Sequence, residues 1–423
     1  MQVFLRATSC PSWLELLARS TSARCLTLLF PVMFSRRTDW NLTPNRLTLA
    51  HQEALRNGRK ILDLTVSNPT RVGILYDETA ILDALRNPKA LDYDPQPKGL
   101  RSAREAVAEY YSCASEKSGR PDPENIILTT STSEGYSFVF RLLCNPGDEV
   151  LVPKPSYPLF DFLAGLQDVK LTPYSLIYDH GWQIDFHSLQ HAIGDKSRAI
   201  VLVHPNNPTG SFISATEKEQ LNALCAQRKL ALIVDEVFLD YALDGIARSS
   251  FAANNNALTL TLSGISKISA LPQMKLAWIA VSGPSSDVST AMQRLEVIAD
   301  TYLSLNAPVQ LAAPVLLKQR TEIQPQLMRR IRANLTELDR QLAQQTSCSR
   351  LEVQGGWYAI LRIPVTRSDE DFATELLRKD SVLVHPGHFY DFPTEGHIVL
   401  SLIADEHEFS AGGARLIKSV EQD

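Results

Sequence analysis

The chain has 423 residues, a net charge of -5, 44% hydrophobic residues and 21% charged residues. This length exceeds what one simple core usually holds, so two packed domains are expected, and the composition is that of an ordinary globular protein. The negative charge argues against nucleic acid as the main partner. No apolar run reaches the roughly 18 residues that a membrane-spanning helix needs.

The first 32 residues differ in composition from the rest. They carry Arg6, Arg19 and Arg24 but only one acidic residue, and an apolar patch follows at residues 26–32. An organellar presequence has this composition. A natural start at Met33 would instead make residues 1–32 an unstructured or artefactual extension, which is the favoured interpretation, and a folded element is the third possibility.

The cysteines indicate a reducing compartment. None of the six shows the CxxC spacing of a zinc site, and their scatter does not resemble a disulfide framework. We therefore expect a cytoplasmic protein without a bound metal, although targeting by residues 1–32 stays open. The six are Cys10, Cys25, Cys113, Cys144, Cys225 and Cys348.

From residue 125 onward, short apolar runs alternate with helical stretches. Nearly continuous apolar runs are typical of strands covered on both faces in a parallel sheet, which places ligands at the carboxyl ends of the strands. We predict a helix over residues 134–143. Strands are predicted at residues 125–128, 148–152, 198–203, 230–234, 257–262 and 276–281.

After Pro308 the pattern changes to a smaller α+β domain. A long amphipathic helix is predicted over residues 310–345, with a break near Pro325. The segment at residues 355–362, a helix around 369–379 and strands at 382–384 and 398–402 follow. The predicted organisation is a segment at 33–77 packing with the small domain, a large domain at 78–308 and a small domain at 309–423.

Lys267 is the candidate nucleophile. A lysine near a second cation in a desolvated pocket loses its proton more easily and can form an imine. The alternative is a solvent-exposed loop lysine. The flanking Ser263, Ser266, Pro272 and Lys275 count against that alternative.

Two polar residues follow buried strands upstream of this lysine. Asp235 ends an apolar run, where a carboxylate is costly unless a cation such as a protonated pyridine nitrogen pairs with it. A bond to a neighbouring loop is the simpler explanation. Asn207, in the sequence Asn-Asn-Pro-Thr-Gly that ends at Gly210, could donate to a phenolic oxygen or could only form a turn.

A phosphate site is predicted where Thr129-Thr-Ser-Thr-Ser133 joins a strand to a helix. Helix N-termini offer free N–H groups to anions, and the hydroxyls of Ser131 and Ser133 could add bonds; plain capping is the alternative. Tyr157 could stack on an aromatic ring or belong to the core, and Tyr93 could reach a phosphate or cover the surface. An imine-forming amine, a phosphate site, a carboxylate and an amide together predict pyridoxal phosphate.

In order and spacing these residues resemble the class I/II aminotransferases of pyridoxal phosphate (PLP) fold type I, from Asp63 to Leu402. The resemblance implies a three-layer α/β fold with a mainly parallel sheet and a homodimer, in which Tyr93 reaches the phosphate of the neighbouring subunit. It also implies that Lys267 is the Schiff-base lysine. The implied cofactor-binding residues are Ser131, Thr132, Ser133, Tyr157, Asn207, Asp235, Ser266, Lys275 and Tyr93.

The chain departs from the family pattern beside the cofactor. Lys275 stands where the family usually has arginine, which keeps the charge but loses the bidentate fork. Phe238 replaces a tyrosine that donates to the ring oxygen, so we expect the Schiff base to keep its proton to higher pH than in relatives. Gly264 replaces a serine or threonine, and either Ser263 or Ser266 could substitute.

A fourth departure concerns the substrate. The family arginine that binds the substrate α-carboxylate falls at Val399 here. Either another cation binds the carboxylate or the substrate lacks it. Arg71 is our candidate, together with Asn68, because their loop matches one that borders the substrate in the family; a solvent-facing Arg71 is the alternative.

The predicted activity is that of a transaminase, which moves an amino group between an amino acid and a 2-oxo acid. A carbon–sulfur β-lyase on the same fold shares these core residues and is the first alternative. A non-catalytic PLP-binding regulator module is the second, although no DNA-binding motif is evident. The donor and acceptor cannot be named from the residues, because fold does not set substrate.

Overall fold

The computed structural model describes residues 33–114 and 119–423, and the side chains of residues 113 and 114 lie outside that description. The predictions for residues 1–32, including Cys10 and Cys25, and for the thiol of Cys113 therefore lie outside the described residues.

The described strands are β1 Leu62–Asp63, β2 Ile126–Thr129, β3 Glu149–Lys154, β4 Lys170–Tyr178, β5 Trp182–Ile184, β6 Ser197–Val203, β7 Ala231–Asp235, β8 Thr259–Gly264, β9 Ala277–Ser282, β10 Ser349–Arg350, β11 Tyr358–Arg362, β12 Val382–Leu383, β13 His385–Pro386 and β14 His397–Ser401. The described α-helices are α1 Arg46–Arg56, α2 Glu78–Leu85, α3 Arg101–Ala114, α4 Thr132–Leu143, α5 Phe160–Gly165, α6 Phe186–Ala192, α7 Ala215–Arg228, α8 Ile265–Ile268, α9 Ser285–Tyr302, α10 Ala307–Lys318, α11 Arg320–Leu342, α12 Asp369–Asp380 and α13 Glu406–Glu421.

The largest sheet has the strand order β2-β9-β8-β7-β6-β3-β4-β5. The pairs from β8 through β7, β6 and β3 to β4 are parallel, whereas β9 and β5 run antiparallel to their neighbours. Every residue of β7, β8 and β9 is buried, as expected of strands with helices on both faces. The predicted α/β fold with a mainly parallel sheet is confirmed.

Helices cover both faces of this sheet, which gives three layers, and β6 shows how the layers pack. Val201 and Val203 point into a core shared with helices α4 and α9. Ile200 and Leu202 point to the opposite face, into a core shared with α7. Because successive side chains of a strand alternate in direction, one continuous apolar run supplies both cores.

A second sheet, with the order β10-β11-β14-β13, is antiparallel throughout. It shares one hydrophobic core with helices α11, α12 and α13. Strand β1 pairs in parallel with β12, and Leu47 and Leu64 from the N-terminal segment lie in this core. The boundaries at 77/78 and 308/309 stay predictions.

The predicted helix break near Pro325 is wrong. The break lies at Gln319, between α10 and α11, and Pro325 lies inside α11. A proline near the start of a helix removes only one hydrogen bond, to the carbonyl four residues before it. The buried Ile323 and Leu327 on either side hold the helix against the core. No helix in the described part of the chain is long and apolar enough to cross a membrane.

Candidate active site

The structure brings the three central predicted residues to one edge of the large sheet. Asn207 follows β6, Asp235 is the last residue of β7, and Lys267 lies in α8 directly after β8. These strands are parallel neighbours. Their carboxyl ends therefore meet at the same edge, which is where open α/β sheets bind ligands.

The amine of Lys267 lies between the large sheet and the N-terminal segment. Its Nζ donates to the carbonyl oxygen of Ser67 at 3.3 Å. It also lies 4.7 Å from the ring centre of Trp357 and 5.7 Å from that of Phe238. Aromatic faces attract a cation at these distances, so the two rings and the carbonyl together orient the amine.

Three side chains hold the backbone around this lysine, in residues 265–270, which we call the lysine segment. Tyr241 donates to the carbonyl of Lys267 at 2.7 Å. The side-chain amide of Gln324, in α11, donates to the carbonyl of Ile268 at 2.9 Å, and the Tyr76 hydroxyl donates to that of Ala270 at 2.8 Å. These donors come from three separate parts of the chain. The carbonyl of Lys267 also accepts from the N–H of Ala270 at 3.3 Å, so the side-chain donors add to the backbone hydrogen bonds of this short segment.

The carboxylate of Asp235 is buried and receives two hydrogen bonds. The backbone N–H of Val237 donates to Oδ1 at 3.1 Å, and the Tyr136 hydroxyl donates to Oδ2 at 3.2 Å. Burial raises the pKa of Asp235 from 3.8 to about 6, although both hydrogen bonds and the charge of Lys267 oppose that rise. A cation placed against this carboxylate would relieve the desolvation cost.

Asn207 lies in a tight turn. The N–H of Asn206 donates to the carbonyl of Ser211. Gly210 adopts a φ of +70°, and a Cβ added at this residue would lie only 2.4 Å from the carbonyl oxygen of Gly355. Only glycine fits such a position. The Asn207 side chain is 7% exposed, and within the described part of the chain no donor reaches its carboxamide oxygen.

The loop before α4 has the geometry of an anion site. Ser131 is the N-cap of α4, and its hydroxyl oxygen accepts from the N–H of Glu134 at 3.1 Å. The predicted capping is therefore present, and the serine O–H remains a donor. The N–H groups of Thr132 and Ser133, the first two residues of the helix, have no preceding turn to bond.

The structure separates the two serines proposed to replace the family hydroxyl at Gly264. The Ser263 hydroxyl is fully buried and donates to the carbonyl of Glu236 at 3.3 Å, whereas Ser266 is half-buried. A Cβ at Gly264 would lie 2.8 Å from the Cβ of Ala277, on the neighbouring strand β9. Close strand contact thus explains the glycine, and Ser266 is the available hydroxyl.

The remaining predicted cofactor residues lie around this edge. Lys275 is exposed at a φ of +54°, after the turn that follows the lysine segment. Tyr157 is half-buried beyond the end of β3, with its ring edge-on to that of Phe160 at 6.4 Å between centroids. Tyr93 is 85% exposed, and its hydroxyl is therefore accessible to a second subunit.

Val399 is fully buried in β14, opposite Ile360 and His385 of the neighbouring strands. Burial lowers the pKa of His385 to about 4, and its Nδ1 lies 3.0 Å from the Tyr390 hydroxyl. These two cross-strand partners of Val399 are therefore uncharged at neutral pH. Neither of these two strand neighbours replaces the positive charge of an arginine.

The loop of Asn68 and Arg71 lies between this strand and the lysine. Ser401, two residues after Val399 in β14, donates to the carbonyl of Val66, next to the carbonyl that Lys267 binds. Asn68 is half-buried and accepts from the N–H of Thr70 at 3.0 Å, which starts the 3-10 turn Pro69–Arg71. Arg71 is exposed at the end of that turn.

Several residues of the site had no assignment from the sequence. Trp357 belongs to a Gly-Gly-Trp sequence that gives a signal for a strand but not for a lysine contact. Tyr136 could have been found as the third residue after the predicted phosphate loop, on the inner face of α4. Gln324 gave no signal, since its contacts depend on how α11 packs against the large sheet.

Comparison with known families agrees with this geometry. The family model of aminotransferase class I and II matches residues 63–406, which is most of the chain. The chain belongs to the class I and II aminotransferases. Members of this family and fold depend on pyridoxal phosphate, so the chain is a PLP-dependent transaminase that moves an amino group between an amino acid and a 2-oxo acid.

Curated aminotransferases resemble the chain along most of its length. The glutamate-pyruvate aminotransferase AlaA of Haemophilus influenzae is 29% identical over 358 residues, which cover 82% of this chain and 88% of the relative. The alanine aminotransferase of Mycobacterium tuberculosis is 28% identical over 380 residues, covering 86% and 87%. Of the three hypotheses, the transaminase is therefore confirmed.

Solved structures support the fold. An aminotransferase from Escherichia coli superposes with a TM-score of 0.80 at 24% identity, covering 93% of this chain and 99% of that one. An alanine aminotransferase from Pyrococcus furiosus gives a TM-score of 0.81 at 22% identity, covering 89% and 96%. The predicted fold type I architecture is confirmed.

The residues at the sheet edge suit pyridoxal phosphate. Asp235 offers a buried carboxylate to a protonated ring nitrogen, and the first turn of α4 offers N–H groups to a phosphate. The carboxamide of Asn207 lies buried with an unpaired oxygen, and turning the amide over presents its NH₂ group to the same space. A ring oxygen would satisfy that NH₂ group.

Proposed function

We propose that Lys267 binds the cofactor covalently and serves as the general base of the transaminase. One observation carries the proposal: Asn207, Asp235 and Lys267 emerge at the carboxyl ends of the adjacent parallel strands β6, β7 and β8. In this assignment Asp235 holds the ring nitrogen, Asn207 binds the ring oxygen and Tyr157 stacks on the ring. The phosphate is bound by Ser131, Thr132, Ser133, Ser266 and Lys275, with Tyr93 of the partner subunit.

When bound, pyridoxal phosphate supplies an electron sink that stabilises negative charge at the substrate α-carbon. The chain supplies the proton chemistry. The Lys267 amine, once the amino donor has displaced it, takes the proton from that carbon. The Ser67 carbonyl and the Trp357 ring orient the amine, and the three donors to the lysine segment hold its backbone.

We propose that Arg71 binds the substrate α-carboxylate in place of the family arginine at Val399. Two carbonyls of its loop are tied down, one by Lys267 and one by Ser401 of the strand that contains Val399. The loop therefore lies between the reacting amine and that strand. The exposed guanidinium of Arg71 can form the two parallel hydrogen bonds that a carboxylate accepts.

The substrates that we propose are alanine with pyruvate and glutamate with 2-oxoglutarate. The proposal rests on relatives that are named for alanine or for glutamate and pyruvate. Each of these compounds has an α-carboxylate, as the Arg71 assignment requires. The structure itself favours no particular side chain of the substrate.

A half-reaction experiment tests these assignments. Purified holoenzyme is mixed with single amino acids while the cofactor absorbance and the oxo acid product are followed. L-alanine should convert the cofactor to pyridoxamine phosphate and yield pyruvate. Pyruvate and free ammonia from a β-substituted amino acid, with the cofactor unchanged and no conversion by L-alanine, would indicate a lyase and contradict transamination.

The Arg71→Ala variant should raise the apparent Kd for alanine in this half-reaction by about 10- to 100-fold, as expected for a charged hydrogen-bonding pair. Arg71→Lys should fall between the two. Arg228→Ala, at the exposed end of α7, is the control and should leave the Kd unchanged. An unchanged Kd in Arg71→Ala contradicts the role of Arg71.

We also propose a homodimer. The extreme exposure of Leu91, at 91%, and of Tyr93, at 85%, is unusual for such side chains and suits a surface that a second subunit covers. Light scattering of the holoenzyme should give twice the chain mass, and Tyr93→Phe should lower cofactor affinity.

The free thiols of Cys144, Cys225 and Cys348 suit a reducing compartment such as the cytoplasm.

A further inference from the structure

The hydroxyl of Tyr136 contacts the carboxylate that the proposed function places against the ring nitrogen. Its Oη lies 3.2 Å from Oδ2 of Asp235, although 99 residues separate the two in the chain. Gly135 makes this approach possible. A Cβ at Gly135 would lie 2.8 Å from Cδ2 of Leu262, so α4 can lie close against the sheet only without a side chain there.

Packing holds the tyrosine ring in this orientation. Tyr136 is 3% exposed, its ring is edge-on to Phe160 at 5.4 Å, and it is tilted against Phe140 at 5.9 Å. Burial, followed by the charge of Asp235, raises the pKa of Tyr136 well above its ordinary value. The hydroxyl therefore stays protonated and remains a donor at every working pH.

The other groups facing Asp235 cannot replace this donor. The Val237 N–H binds the opposite oxygen, Oδ1. The Lys267 amine attracts the carboxylate through space but is committed to the cofactor in the proposed function. The neighbouring Glu236 has a pKa raised to about 7 by burial, and its own oxygens accept from Ser250 and Phe251. Tyr136 is thus the side-chain donor on Oδ2.

A donor on a carboxylate stabilises its ionised form and makes it a weaker base. A proton shared between a carboxylate and a pyridine nitrogen then resides on the nitrogen, where it strengthens the electron sink. We propose that Tyr136 is a positioning residue that, through Asp235, keeps this proton on the cofactor nitrogen. The inference rests on the proposed function, because it requires Asp235 to face that nitrogen.

The test compares Tyr136→Phe with Tyr174→Phe. Tyr174 is also fully buried next to the large sheet and loses one hydroxyl bond, to the carbonyl of Val201 at 2.8 Å, without touching Asp235. Holoenzyme is prepared with ¹⁵N-labelled pyridoxal phosphate. The ring-nitrogen chemical shift and the pH midpoint of the cofactor's visible absorbance are then measured.

Tyr136→Phe should move the ¹⁵N chemical shift toward that of an unprotonated ring nitrogen. The ratio of the form with the proton on the nitrogen to the form with the proton on Asp235 should fall by about tenfold, the effect of one hydrogen bond to a charged group. The pH midpoint should rise, because a neutral ring no longer disfavours the proton on the nearby imine nitrogen. Tyr174→Phe should match the wild type in both measurements. An unmoved shift and midpoint in Tyr136→Phe overturn the proposal.

A second measurement uses the full chain without cofactor. The bond from Tyr136 is worth most when Asp235 is ionised, so Tyr136→Phe should lower Tm by about 1.5 °C more at pH 8 than at pH 5. Tyr174→Phe, whose partner does not titrate, should lower Tm equally at both pH values. Equal losses at both pH values in Tyr136→Phe count against the proposal.

The Asp235→Asn holoenzyme separates failure of this inference from failure of the proposed function. If the ring-nitrogen shift does not respond to Asp235→Asn, Asp235 does not face the nitrogen and both proposals are overturned. If the shift responds to Asp235→Asn but not to Tyr136→Phe, only the role of Tyr136 is overturned.

Discussion

The Asp235→Asn substitution measures what the buried carboxylate costs the fold. Burial raises the pKa of Asp235 from 3.8 to about 6 in the absence of cofactor. A carboxyl group with a raised pKa adds its full stability below its unfolded pKa and loses it as pH rises through the folded one. About two pKa units correspond to about 3 kcal/mol, which is lost between about pH 4 and pH 7.

The asparagine variant should recover this energy without losing contacts. Its Oδ1 can accept from the Val237 N–H, and its NH₂ group can donate to the Tyr136 hydroxyl oxygen. The cofactor-free variant should therefore be more stable than the wild type by up to about 3 kcal/mol at pH 8 and about equal to it at pH 4. Thermal unfolding at four pH values between 4 and 8 measures the difference.

The same substitution should reduce transamination by at least about 100-fold, since an amide cannot hold a positively charged ring nitrogen. Asp244→Asn is the control. A hydrogen bond from Arg248 lowers the pKa of the exposed Asp244 carboxyl. Removing this carboxylate should therefore lower the free energy of unfolding slightly at pH 8, the opposite of the effect expected for Asp235→Asn. A stability gain independent of pH, or full activity, in Asp235→Asn would refute the reasoning.

Two further substitutions test the surroundings of the lysine. Phe238→Tyr places a hydroxyl on a ring whose centre lies 5.7 Å from the Lys267 amine. A pH titration should show the midpoint of the cofactor absorbance about one unit lower than in the wild type. An unchanged or higher midpoint contradicts the assigned position of Phe238. Gln324→Ala removes the donor to the lysine segment and a donor at 2.6 Å from the carboxylate of the half-buried Asp240, and should cost about 2 kcal/mol of unfolding free energy. Denaturant unfolding should show no such loss for the exposed control Gln344→Ala, and an equal loss in both variants would deny Gln324 this role.

The position of the site could be predicted because it depends on chain direction. Asn207 and Asp235 follow apolar runs long enough to be buried parallel strands, and parallel strands place their ends at one edge. The helix break was mispredicted at Pro325 because a proline near a helix start costs one hydrogen bond, and packing of the flanking apolar residues outweighs that loss.

The sequence alone determined the fold class, the cofactor and the predicted lysine, because strand hydrophobicity and short motifs are local properties. Only the tertiary structure decided which groups surround that lysine. In the chain, Trp357, Gln324 and Ser67 lie 90, 57 and 200 residues from Lys267. Packing of the two sheets and α11 brings them to the lysine segment. Such contacts leave no local pattern, because hydrogen bonds form between whichever groups the folded backbone brings together.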